Sequence, residues 1–228
     1  MIEFKPQILF TKEIPTEFLR QNLAQDLDFE VINFLEIEFF PEEKIISELN
    51  NSIKNYLITS QNAVEAIKNL DLKGNFYVVG QKTAKKLIQN NFKVEIVTNY
   101  ASELAEFILK NESLTNWIFF CGNNRRDELF EKLTPKGHSI QQIICYKSVP
   151  TFYHLNGKKY DGIAFFSPLG VKSYLKNNKI LPETVIFSIG KTTSDEIKIH
   201  TKNKIINAEI PTLESVLESI NNYFYAEK

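Results

Sequence analysis

The chain has 228 residues, and its 27 Lys and Arg nearly cancel its 28 Asp and Glu, which excludes the broad field that gathers nucleic acid or anionic membrane. With 43% hydrophobic residues and 12% aromatics it has material to bury one large core or two small ones. Cys121 and Cys145 lack CxxC spacing and His138, His154 and His200 are scattered, so the expectation is buried thiols in a reducing compartment and no metal site.

Residues 7–12 form a short apolar run ending in polar residues, a strand, and Pro15-Thr16-Glu17 opens a helix with Phe18, Leu19 and Leu23 on one face. Residues 29–37 are apolar and β-branched over more length than one strand needs, and Pro41 ends the run. A strand of that length suits a connector. A helix over 42–53 follows, then a strand over 56–60 that stops at Ser60 and turns into a second helix. Phe76-Tyr77-Val78-Val79 repeats the pattern, turning at Gly80 into a helix that contains Thr83. The next strand covers 93–97, and Ser102 is placed to cap a helix over 102–108.

From Trp117 the plan runs again. Trp117-Ile118-Phe119-Phe120-Cys121 is a strand ending at Gly122-Asn123, and Arg125-Arg126-Asp127-Glu128-Leu129 reads as a charged helix start. Residues 140–149 echo the overlong run at 29–39 and likewise end near a proline, Pro150. Ile163-Ala164-Phe165-Phe166 then stops at Ser167-Pro168-Leu169-Gly170, where Ser167 can cap and Pro168 pre-sets the first helical turn. The strand over 185–189 meets Gly190, and Lys191-Thr192-Thr193 opens the helix after it. A strand over 204–207 and a helix from Pro211 close the copy.

Ser60 and Ser167 are 107 residues apart, while Gly80 and Gly190, like Thr83 and Thr193, are 110 apart. This agreement predicts a duplicated α/β unit with about five parallel strands in each copy and helices on both faces. Ligands of such sheets bind beyond the carboxyl ends of the strands, where the Ser60, Gly80, Ser167 and Gly190 turns lie. Such turns also occur as plain caps in any α/β protein, but four of them paired between two copies point toward an anionic ligand. A hydrogen bond to a charged group contributes about 1.5–3 kcal/mol, so a few turns reach the roughly 8 kcal/mol of micromolar binding.

Cys121-Gly122-Asn123-Asn124-Arg125-Arg126 lacks both the Lys-Ser/Thr of a Walker loop and the spaced glycines of a dinucleotide turn. The cysteine reads as core, since no base lies near it in sequence. Strand alternation puts Tyr146 on one face with Ile144, as half-buried packing. No apolar run approaches the length of a membrane span, and the first residues carry no signal-peptide pattern, so a cytoplasmic location is expected.

Taken in order, Thr59-Ser60-Gln61-Asn62-Ala63-Val64, Val79-Gly80-Gln81-Lys82-Thr83-Ala84, Cys121-Gly122-Asn123 with Arg126-Asp127-Glu128-Leu129, Cys145-Tyr146, Phe165-Phe166-Ser167-Pro168-Leu169-Gly170-Val171 and Ile189-Gly190-Lys191-Thr192-Thr193 resemble the uroporphyrinogen-III synthase family. The chain departs from the family pattern at Gln61, where Pro is frequent, and at Leu169, where a serine is frequent, so Leu169 can offer only backbone. The resemblance implies two flavodoxin-like three-layer domains with parallel sheets, joined by a two-stranded connector. One domain would comprise 1–36 and 150–228, the other 41–145, with their turns facing one another across a cleft.

It further implies a cofactor-free lyase that closes hydroxymethylbilane, a linear tetrapyrrole with eight carboxylates, into uroporphyrinogen III while inverting the last pyrrole through a spiro intermediate. Tyr146 would assist departure of the hydroxyl. Ser60, Asn62, Gly80, Thr83, Asn123, Ser167, Gly170, Gly190, Thr192 and Thr193 would hold the substrate. The implied protein is a monomer with no metal and no nucleic-acid or membrane partner. The residues alone leave open a non-enzymatic bilobal binder of a small polyanion, and a nucleotide-sugar transferase, which the missing diphosphate motif disfavours.

Overall fold

The computed structural model describes residues 5–124 and 127–225, so the expected helix-start pair Arg125-Arg126 lies outside the described residues. In chain order, β1 (Gln7–Phe10), α1 (Thr16–Asn22), β2 (Asp28–Val31), β3 (Leu35–Phe39), α2 (Glu42–Glu48), β4 (Asn55–Ile58) and α3 (Gln61–Ile67) come first. Then follow β5 (Asn75–Val79), α4 (Gln81–Gln89), β6 (Lys93–Thr98), α5 (Ala101–Asn111), β7 (Asn116–Gly122), α6 (Glu128–Leu133) and β8 (Ser139–Pro150). The last elements are β9 (Gly162–Phe165), α7 (Pro168–Asn177), β10 (Val185–Ser188), α8 (Lys191–His200), β11 (Ile205–Asn207) and α9 (Leu213–Tyr225).

Two compact units form, one from the chain up to Glu36 together with Val149 onward, the other from Ile37–Ser148. In the first, the five-stranded sheet runs β11-β10-β9-β1-β2 with every neighbour parallel. Ile8, Phe10, Ala164 and Phe187 pack on one face under α1 and α9, and Leu9, Ile163, Phe165 and Ile186 on the other under α7 and α8. Strand alternation therefore produces the three layers directly.

The second unit carries a six-stranded sheet in the order β3-β8-β7-β4-β5-β6, with parallel pairing from β8 through β6. Ile58, Phe76, Phe120 and Cys145 face α2, α3 and α4, while Leu57, Tyr77, Trp117 and Phe119 face α5 and α6. The α/β class and the two mostly parallel sheets expected from the repeat are present. In this unit strand order reverses between β4 and β7, which puts the turns after those strands at the crevice where open α/β sheets bind ligands.

Local expectations are corrected at three places. The run over 29–37 is two strands with a break at 32–34, because Phe34 is fully buried and its backbone bonds Thr11 and Thr151 in place of a sheet neighbour. The helix after Pro41 stops at Glu48 instead of continuing to 53. There the Asn50 side chain accepts from the Ser52 amide and hydroxyl, a local turn that competes with helix. Ser102 caps nothing, since α5 already begins at Ala101 and the Glu103 carboxylate takes the amides of Asn99 and Tyr100.

Candidate active site

The four turns that the sequence makes look equivalent differ in how much hydrogen-bonding capacity they leave. Ser60 accepts from the Asn62 amide at 3.2 Å, and Ser167 from the Gly170 amide at 3.0 Å, so the amides expected to grip ligand at Asn62 and Gly170 are already engaged. Pro168 has no N–H. Each serine turn thus keeps one open helix-start amide, Gln61 or Leu169, among the described residues.

The glycine turns keep two each. Gly80 and Gly190 have no side chain with which to cap, and the amides of Gln81 and Lys82, and of Lys191 and Thr192, find no acceptor among the described residues. Thr83 and Thr193, three residues into their helices, are 5% and 1% exposed, and neither hydroxyl has a hydrogen-bond partner among the described residues. Unpaired buried hydroxyls are costly. Thr192 by contrast is exposed.

At the carboxyl edge of the second unit a cavity of about 440 Å³ is floored by Phe119 and Gly122 and walled by Ser60 and Tyr146. The Tyr146 hydroxyl donates to Ser60 Oγ at 2.9 Å. That oxygen therefore takes two bonds, one from the phenol and one from the Asn62 amide, and it ties β8 to the β4 turn. Burial pushes the Tyr146 phenol above its ordinary 10.0, against a smaller lowering by Ser60, so it carries its proton at neutral pH.

Tyr146 does not follow simple alternation. Ile144 packs on the face of Trp117 and Phe119, but Tyr146 packs on the opposite face beside Cys145. The cause is a register shift in the β7–β8 pairing: Cys121 pairs with Ile144 and Gly122 with Tyr146, so one extra residue of β8 is accommodated there. A bulge of this kind re-aims the side chain that follows it. Asn123, expected to contact substrate, commits its amide and its Oδ1 to the same strand: the amide donates to the Tyr146 carbonyl at 3.2 Å and Oδ1 accepts from the Ser148 amide at 3.0 Å.

Sequence reasoning missed the far wall, which Asn99 and Tyr100 supply. Their signal was available, since Thr98-Asn99-Tyr100-Ala101 is another strand-to-helix turn at a carboxyl end, obscured by placing the helix start at Ser102. Both cysteines are buried thiols, and desolvation pushes Cys145 up to about 12, which makes it a packing residue and a poor nucleophile. No group of three or more His, Cys, Asp or Glu gathers among the described residues, and no described helix is long and apolar enough to cross a membrane.

A family model described as uroporphyrinogen-III synthase HemD matches residues 20–218 of this chain. The uroporphyrinogen-III synthase of Saccharomyces cerevisiae is 26% identical over 212 residues, which covers 76% of this chain and 77% of that protein. Among solved structures, uroporphyrinogen-III synthetase from Helicobacter pylori 26695 superposes with a TM-score of 0.72 at 19% identity, covering 96% of this chain and 99% of that one. A mutant uroporphyrinogen III synthase from the extremely thermophilic bacterium Thermus thermophilus gives 0.62 at 14% identity, over 97% and 100%. These structures share the fold.

Proposed function

This chain belongs to the uroporphyrinogen-III synthase family, and from that membership we propose that it converts hydroxymethylbilane into uroporphyrinogen III with inversion of the last pyrrole and loss of water. The observation that carries the reading is the Tyr146–Ser60 hydroxyl pair inside the cavity at the strand reversal of the second unit. The substrate's hydroxymethyl C–O bond breaks, its oxygen leaves as water after gaining a proton, and ring closure later releases a proton from carbon. Tyr146, protonated and half-buried, is the hydrogen-bond donor to the departing oxygen, alone or through Ser60.

Because a linear tetrapyrrole closes readily to the uninverted ring, the enzyme's work is orientation, a contribution of about 7–11 kcal/mol at best. The open amides at Gln81, Lys82, Lys191 and Thr192 and the buried hydroxyls of Thr83 and Thr193 are the groups best suited to hold carboxylates. Ser60 and Ser167 contribute mainly by shaping their turns. The chemistry calls for no cofactor, and we infer a cytoplasmic monomer without nucleic-acid or membrane partners, consistent with the net charge of −1.

The test is to supply hydroxymethylbilane to the purified protein and separate the type I and type III products. Isomer III above the spontaneous background is expected. Isomer I alone would overturn the assignment and favour a polyanion-binding protein.

A further inference from the structure

We propose that Gly122 is a positioning residue for Tyr146, and that the Gly122 gap, together with the adjacent bulge, aims the phenol at the reacting end of the substrate. The proposal rests on the reading of Tyr146 as the donor to the leaving hydroxyl. Its basis is the distance the phenol must span. Tyr146 belongs to β8 and Ser60 follows β4, and β7 lies between them. Neighbouring strands are about 4.8 Å apart, so the ring crosses roughly two spacings. It can do so only by lying flat over the end of the intervening strand.

The residue crossed is Gly122. A Cβ built there falls 2.5 Å from Tyr146 Cζ, 2.6 Å from its Cε2 and 2.9 Å from its hydroxyl oxygen. Every side chain other than hydrogen therefore occupies the volume of the ring. The backbone adds two restraints from the same segment. The register shift between Cys121 and Gly122 puts Tyr146 on the face opposite Ile144, and Asn123 holds β8 directly after the Tyr146 side chain, its amide donating to the Tyr146 carbonyl and its Oδ1 accepting from the Ser148 amide. Phe39 flanks the ring with centroids 6.5 Å apart, which blocks an easy retreat. Gly122 is thus explained by neither a left-handed backbone nor a helix cap, but by the ring above it.

The test compares Gly122→Ala, Tyr146→Phe, Tyr146→Ala and Gly122→Ala/Tyr146→Ala for isomer III formation, KM, thermal stability and tyrosinate titration. Displacement of a catalytic group by about 1 Å costs on the order of 100-fold, so Gly122→Ala should lower kcat by about that factor with KM little changed. In the Tyr146→Ala background the added methyl meets no ring, so it should cause no further loss of kcat and no further loss of stability. The alkaline titration assigned to Tyr146, read by subtracting each Tyr146→Ala counterpart, should move down toward the ordinary tyrosine value in Gly122→Ala.

Equal losses from Gly122→Ala with and without the ring would overturn the proposal in favour of a backbone requirement. If Tyr146→Phe retains full activity, the proposal fails even though the synthase reading stands. If the unmodified protein yields only isomer I, the synthase reading fails, while the stability and titration cycle still reports whether Gly122 sets the ring. Should Gly122→Ala not fold alone, the double variant is expected to fold, and its failure to do so counts against the proposal.

Discussion

At the scale of single residues, the donor is one of several groups in the two units whose burial keeps a proton on them. Desolvation raises Tyr146, Tyr56 and, up to about 12, Tyr174, and it raises Cys145 to about 12 from an ordinary 9.0. Each of these groups binds its proton more tightly folded than unfolded. The stability they supply is complete below the unfolded values near 9 and 10 and is lost as pH rises through that region toward about 12. Denaturant titrations between pH 8 and pH 11.5 should show a plateau followed by a decline beginning near pH 9 to 10. Stability that stays constant to pH 11.5 would contradict the burial assigned to these phenols. Tyr146 itself was legible only through family resemblance. Alternation placed it beside Ile144 on the wrong face, because nothing in Ile144-Cys145-Tyr146 announces that the partner strand shifts register at Gly122.

Among the elements, the strand-to-helix turns were the most readable feature, and the glycine turns show what reading them as equals conceals. Gly80 has φ +93°, a left-handed conformation, whereas Gly190 at φ 169° is in extended backbone open to any residue. A Cβ on Gly190 would come no closer than 3.9 Å, to Pro211 Cβ. Gly80→Ala should therefore destabilise by about 1–2 kcal/mol through backbone strain, and Gly190→Ala should leave thermal stability nearly unchanged. If the Gly190 turn admits a carboxylate to the amides of Lys191 and Thr192, Gly190→Ala should still raise KM. An unchanged KM and product ratio would remove that turn from the site. Both glycines stand at equivalent places in the repeat, and the sequence reveals their position without their dihedral angles. The capping role of Ser60 and Ser167 was legible for the opposite reason, since a side-chain oxygen before a helix has few other local partners.

At the scale of the molecule, the repeat and the units do not coincide. The first pass supplies β1 and β2 to one unit and β4, β5 and β6 to the other, while the second pass supplies β7 and β8 to the latter and β9, β10 and β11 to the former. The two sheets nonetheless share one spatial plan, with β8-β7-β4-β5-β6 standing where β2-β1-β9-β10-β11 stand. Offsets near 110 residues revealed the duplication, but two copies exchanged in this way have the same periodicity as two copies in series, so the boundary was carried by resemblance alone. The exchange has an energetic consequence. The unit Ile37–Ser148 is continuous in sequence and owns both of its hydrophobic clusters, from Ile45 through Cys145 on one face and from Leu57 through Leu133 on the other. The remaining unit needs both ends of the chain, since β1 pairs with β9 and Thr11 donates to the Ala164 carbonyl from 153 residues away. A fragment of residues 37–148 should therefore unfold cooperatively by circular dichroism and retain the Tyr146 titration of the full chain. Residues 149–228 alone should not, because β9 then loses β1 and the Ile8 and Phe10 side chains that cover its cluster. Adding a peptide of residues 1–36 should restore the second fragment's fold, and failure of that complementation, or a non-cooperative 37–148 fragment, would show that the units do not fold independently.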